Sequence, residues 1–185
     1  MRFIDSIRTY VPACEQETQD ARMMLRYAEL FPDLLERTNE TAHFTASSWI
    51  VTSDRSRVLM VYHNIYNSWS WTGGHADGQD DPLAVALKEA REETGIQHIR
   101  SAGEDLFSLE ILTVKAHVKR GKYVVPHLHL NLTYLLEADD TDSIHIKPDE
   151  NSGVKWFSPE DAFNACSESE MLPIYRKLIE RSAKR

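Results

Sequence analysis

Residues 73–96, GGHADGQDDPLAVALKEAREETGI, constrain this chain more than any other stretch, because they mark both ends of one helix and load it with charges a helix does not favour. Asp80 or Asp81 can cap the helix, Pro82 suits a first turn where no amide hydrogen bond is lost, and Gly95 can take the left-handed conformation that stops it. The spacing predicts a helix over 82–94. At about 100° per residue, Leu83, Leu87, Ala90 and Thr94 share a stripe expected to pack on a sheet. Glu89, Glu92 and Glu93 form a second stripe, in which the i,i+3 and i,i+4 pairings are repulsive. Glu92 and Glu93 also occupy the last turn, where the macrodipole favours cations. A bound divalent cation reverses both penalties, since hard Mg²⁺ or Mn²⁺ takes carboxylate and carbonyl oxygens. The alternative is a solvated acidic face with Lys88 and Arg91 in partial compensation, and the glycine loop in front of the helix weighs against it.

Around this stretch the chain reads as one domain with a small appendage, since 185 residues exceed the usual domain size only modestly. Residues 15–37 carry apolar side chains at helical spacing and suggest one or two helices, with Pro32 opening the second. Residues 45–51 and 58–62 are β-like runs separated by the turn-like Ser53-Asp54-Arg55-Ser56, which suggests a hairpin. Longer β-like runs follow at 107–119 and 124–137, then a short one at 154–157, and Ser158-Pro159-Glu160 opens a further helix. A helical preface, many strands and isolated helices imply an α+β or layered α/β/α domain.

Charge narrows the function classes. Lys+Arg 21 against Asp+Glu 29 gives a net charge of -8, which repels nucleic acid and anionic lipid, so an anionic small substrate needs a bound cation. No membrane span or secretory signal is apparent, and a cytoplasmic location is expected. Cys14 and Cys166 form no paired motif and read as buried or half-buried small hydrophobes. No linear Cys/His spacing suggests zinc.

The glycine–helix stretch resembles the Nudix box, G-x5-E-x7-R-E-U-x-E-E-x-G-U with U a bulky apolar residue. Gly74, Glu89, Ala90, Glu92, Glu93, Gly95 and Ile96 fall on the pattern, with Ala90 small for its position. Asp80 stands where the family has Glu, and Lys88 where it has Arg, which loses a bidentate fork. The surrounding strands and the Trp156-Phe157-Ser158-Pro159-Glu160 segment resemble the same family, from residue 41 to the end. The resemblance implies a Nudix-like α/β/α sandwich with a mixed β-sheet over 41–185, behind a short helical N-terminal extension over 1–40.

It also implies hydrolysis of a diphosphate linkage in a nucleoside diphosphate-X compound, with Mg²⁺ replaceable by Mn²⁺. Metal ligands would be Glu89, Glu92, Glu93, the Gly73 carbonyl and Glu150, which lies six residues before Trp156. Glu89 is a ligand or the general base, and Lys88 and Asp80 support the cluster. His75, His127, His129 and Trp71 are candidate substrate contacts; the two histidines at 127 and 129 share a strand face, and Trp71 belongs to an aromatic group that could stack on a base. The expected partner is the small diphosphate substrate, without nucleic acid or membrane, and a homodimer fits. Two competing readings are a non-catalytic nucleotide or sugar-nucleotide sensor of the same fold and an isopentenyl-diphosphate isomerase. The isomerase needs a core cysteine that Cys14 and Cys166 are badly placed to supply.

Overall fold

The computed structural model describes residues 2–103, 105–119 and 121–184. Two helices, α1 (Arg2–Thr9) and α2 (Glu15–Leu30), precede the long strand β1 (Ala42–Val51). Then come β2 (Val58–His63), β3 (Ser68–Ser70), β4 (Thr72–His75), α3 (Pro82–Thr94) and β5 (Ile99–Ser101). The second half supplies β6 (Ser108–Val114), β7 (His117–Lys119), β8 (Lys122–Val124), β9 (His127–Ala138), β10 (Asn151–Phe157), α4 (Pro159–Ala165) and α5 (Leu172–Ser182).

The main sheet runs β10-β2-β1-β9-β5, with β3 on β2, β4 on β1 and β6 on β9, while β7 and β8 form a separate ribbon. It is mixed, because β1 and β9 pair in parallel over ten residues from Ala42↔Leu128 to Val51↔Glu137 and the other pairs are antiparallel. Helices cover both faces, giving the layered α/β/α arrangement. Alternation assigns the layers: Phe44, Ala46 and Ile50 of β1, with Leu130, Leu132 and Leu136 of β9, join Phe3, Ile7, Met24, Ala86 and Ala90 from the first three helices. Trp49 and Val51 point the other way, with Leu135, and pack with Ala162 of α4 and Tyr175 and Leu178 of α5. The second face changes character along its length. Beyond Trp49 its residues become Ser47, Thr45 and His43 on β1 and Thr133, Asn131, His129 and His127 on β9.

The hairpin, the helix over 82–94 and the helix after Ser158 form as the sequence indicates. Asp81 caps α3 by accepting from the Ala84 amide at 3.1 Å, and Gly95 ends it with φ 74°. Four local expectations change. Residues 15–37 hold one helix, Glu15–Leu30, and Pro32 opens no second, because the residue before a proline avoids the helical region: Phe31 is extended, and Pro32 sits in a turn. The short α1 is an addition, held by burial of Phe3, Ile4 and Ile7 in the common core. The buried stripe of α3 runs through Val85, Ala86, Ala90, Glu93 and Thr94, with Leu83 and Leu87 at its margin. Small residues let the helix approach β1 closely enough for Ser48 Oγ to reach the Ala86 carbonyl at 3.3 Å. Cys14 is exposed, whereas Cys166 is buried.

Candidate functional site

The glycine pair lies on β4, antiparallel to β1 with Gly73 opposite Ser47 and Gly74 opposite Ala46. Both positions are crowded. A Cβ on Gly73 would lie 2.4 Å from Ser47 Oγ, and one on Gly74 would lie 2.4 Å from Glu89 Cδ, so the Glu89 side chain crosses directly over Gly74. Gly73 donates its amide to Glu93 Oε1 at 2.8 Å. This bond ties the buried end of the acidic stripe to the glycine strand.

Glu89 and Glu92 are bridged by Lys88, whose Nζ lies 3.0 Å from Glu89 Oε1 and 3.5 Å from Glu92 Oε1. Lys147, from the loop before β10, donates to Glu92 Oε2 at 3.3 Å and pairs with Glu150 Oε2 at 3.0 Å. Asn151, buried at the start of β10, donates to the Glu93 backbone carbonyl at 2.9 Å. The structure thus brings Glu89, Glu92, Glu93, Glu150, Lys88 and the glycine pair together.

Two ammonium groups face four carboxylates here. The imbalance falls on Glu93, only 4% exposed, whose carboxyl is pushed up to about 8 by burial and by the charges of Glu89 and Glu150, against the Gly73 hydrogen bond and Lys147. Hard oxygen donors with a shortfall of positive charge fit a hard divalent cation. Asp80 stands apart, accepting the Arg2 backbone amide at 2.8 Å.

On the sheet face shared by Ser47 and Gly73, four imidazoles cluster. His43 pairs with His129 in the β1–β9 register, His75 follows the glycine pair, and His127 lies two residues before His129 on the same face. Ring centroids of His43 lie 5.0, 4.8 and 5.0 Å from those of His75, His127 and His129. His129 is held neutral, its imidazole pushed down to about 2 by burial and the neighbouring histidines. Trp71 does not join them, because its ring packs in the core edge-on to Tyr175 at 5.6 Å.

Between the histidines and the apolar end lies a polar network. Thr45 and Ser47 donate to Asn131 Oδ1 at 2.9 and 2.8 Å, and Asn131 donates to Glu110 Oε2 at 3.3 Å. Glu110 also pairs with Lys177 at 2.9 Å, and Lys177 reaches Glu17 Oε1 at 3.0 Å. Arg181 holds Glu17 Oε2 at 2.6 Å, and the Ala13 amide adds a bond at 2.9 Å. Burial alone would raise the Glu17 carboxyl, but bonds from Arg181, Ala13 and Lys177 outweigh it and hold it near 2.

Three parts of this region carry no signal in the sequence that would set them apart. Lys147 and Asn151 lie more than fifty residues from Glu92 and Glu93, and nothing marks Lys147 among other loop lysines. His43 is a lone histidine until β1 pairs with β9, and the alternating His127 and His129 were the visible half of that cluster.

A family model described as NUDIX domain matches residues 41–181. A curated hydrolase of CMP-5'-(N-acetyl-N-hydroxy-3-aminopropyl)phosphonate from Streptomyces rubellomurinus is 42% identical over 50 residues, 25% of this chain and 24% of that enzyme. The match therefore spans about a quarter of the curated relative's length. Among solved structures, a Caenorhabditis elegans Ap4A hydrolase binary complex superposes with a TM-score of 0.57 at 22% identity, covering 77% of this chain and 98% of that one. A NUDIX-family hydrolase from Clostridium perfringens gives 0.52 at 24% identity, covering 75% and 96%. At these identities the two structures are similar in fold.

Proposed function

The chain belongs to the NUDIX domain family, and from that membership we propose that it is a pyrophosphohydrolase cleaving the diphosphate linkage of a nucleoside diphosphate-X compound with Mg²⁺, or Mn²⁺ in its place. The observation that carries the reading is the charge imbalance around Glu93: four carboxylates, two lysines and a carboxyl driven upward by burial and then by its acidic neighbours. Glu92, Glu93 and the Gly73 carbonyl would hold the cation, with Glu150 beside them. Bound there, it neutralises diphosphate charge and makes a coordinated water more acidic.

The chain's own groups supply the rest. The Gly73 amide fixes one oxygen of Glu93, which leaves the other as its ligand atom in this proposal. Lys88 and Lys147 hold Glu92 from two sides. Glu89, laid across Gly74 and gripped at one oxygen by Lys88, is the group we assign to accept a proton from the attacking water. His75, His127 and His129 border the same end of the sheet and are the substrate-facing side chains in this reading, while the core position of Trp71 removes it from that role. The helical segment 1–40 packs on the core and touches the box through Arg2 and Asp80, which makes it a structural brace of the 41–185 domain in this proposal.

The test is a screen of nucleoside triphosphates, sugar nucleotides, dinucleoside polyphosphates and CMP-linked phosphonates, read by product release. At least one compound should be cleaved with Mg²⁺ and none in chelator. Tight nucleotide binding without product would favour the sensor reading.

A further inference from the structure

We propose that His43, His75 and His129 form a second metal site, for a borderline divalent ion of the zinc, cobalt or nickel class, separate from the glutamates. Among the described residues, these three histidines can each offer one nitrogen such that all three atoms lie within 4.8 Å of one another. Imidazole nitrogen suits this class of ion, whereas magnesium takes oxygen.

The state of the His43 ring supports the assignment. His43 is 4% exposed; its Nδ1 lies 3.0 Å from the Asn39 carbonyl, while its Nε2 is buried without a hydrogen-bond partner. A carbonyl at Nδ1 fixes the proton there and leaves the Nε2 lone pair bare, which is the usual preparation of a metal-binding histidine. An unpaired buried acceptor is otherwise a cost that folded proteins avoid. His127 is prepared in the same way, with Nδ1 2.8 Å from the Val125 carbonyl. Its Nε2 lies 3.3 Å from His129 Nε2. His127 therefore flanks the three ligands and fixes the ring of His129. Burial pushes the His43 and His129 imidazoles down, toward the neutral form that binds metal.

No linear spacing announces this site. Its ligands come from β1, β4 and β9, and the pairing of His43 with His129 across the parallel register assembles it. The inference does not depend on the reading of the glutamates; it gives His75 and His129 a metal ion to hold in place of direct contact with substrate, and its test separates the two sites. Chelator-treated full-length protein is titrated with Co²⁺ and then Zn²⁺ in saturating Mg²⁺, which occupies the oxygen site. One Co²⁺ per chain should bind with the intense visible absorption of a tetrahedral nitrogen site, and Zn²⁺ should displace it. Removing an outer-shell partner at a metal site costs about 10 to 100-fold in affinity, so His43→Ala or His129→Ala, each removing a ligand, should cost at least about 100-fold. Glu93→Gln should leave the Co²⁺ spectrum unchanged. Circular dichroism checks folding of each variant, and the less buried His75→Ala gives the same readout should the others fail to fold. Absence of Co²⁺ binding in Mg²⁺, or a Co²⁺ spectrum lost in Glu93→Gln but kept in the histidine variants, overturns the proposal.

Discussion

Two carboxylate clusters in this molecule are built on opposite principles. Around Glu17 and Glu110, two acids meet two bases, Lys177 and Arg181, and Glu17 is held ionised with its carboxyl near 2. Around Glu93, four acids meet two lysines, and the most buried of them is driven up to about 8. Both clusters are anchored by backbone amides, from Ala13 in one case and Gly73 in the other. Burial raises both carboxyls; at Glu17 the hydrogen bonds and charges of Arg181, Ala13 and Lys177 outweigh it, whereas at Glu93 a single amide and one lysine do not. A cluster that supports the fold supplies its own cations, because an unpaired buried charge is costly. A cluster that receives a cation leaves a place for it.

Removing one acid from each cluster should have opposite consequences. Glu17→Gln leaves Arg181 and Lys177 half-paired beside a buried amide and should cost on the order of 3 kcal/mol by denaturant unfolding. The same contrast appears in acid. Because Glu17 in the folded chain titrates near 2, below its ordinary value of 4.5, its contribution is complete above 4.5 and fades as pH falls from there toward 2. Glu17→Gln should flatten the stability profile in that window, and an unchanged profile would remove Glu17 from the account.

In the other cluster the loss should fall on turnover. Glu93→Gln should lower the hydrolytic rate at least about 100-fold while the protein stays folded, the scale of removing one electrostatic stabiliser of a transition state. A variant that unfolds yet keeps its specific activity would make Glu93 structural, like Glu17.

A smaller effect sharpens the role of the lysines. Lys88 is largely exposed and grips Glu89 and Glu92 without reaching the core. Lys88→Ala should cost about 10 to 100-fold in turnover, the usual scale for a supporting contact at a metal site, and Lys88→Arg should preserve or modestly improve it. Equal rates for Lys88→Ala and wild type would leave the orientation of Glu92 to Lys147 alone.

The same division explains what the sequence made legible. Local chemistry was readable: the Asp81 cap, Pro82 and Gly95 bound α3, and Ser158 caps α4 by accepting from the Asp161 amide. The acidic stripe was readable for the same reason, as three glutamates within one helical turn and a half already violate local rules. Long-range assembly was hidden. Helix α1 has eight residues, too few to be stable alone, and exists because Phe3, Ile4 and Ile7 find the core. The Glu17–Arg181 pair joins residues 164 positions apart, and the histidine cluster appears only in the β1–β9 register. Trp71 read as a candidate for stacking on a base because its core neighbour Tyr175 lies a hundred residues away.

The most direct measurement of the central claim is calorimetric titration with Mg²⁺ in two buffers of different ionisation heat, paired with melting curves, on wild type and Glu93→Gln. The account predicts that wild type binds Mg²⁺ near neutral pH with release of protons, since Glu93 must ionise to serve as a ligand, and that its Tm rises with Mg²⁺. In chelator near neutral pH, Glu93→Gln should melt close to wild type, because a carboxyl held largely protonated carries no more charge than the amide that replaces it, and it should bind Mg²⁺ at least about tenfold more weakly. A wild-type protein that shows neither Mg²⁺ binding nor a Tm response, together with a Glu93→Gln variant as destabilised as Glu17→Gln, would contradict it.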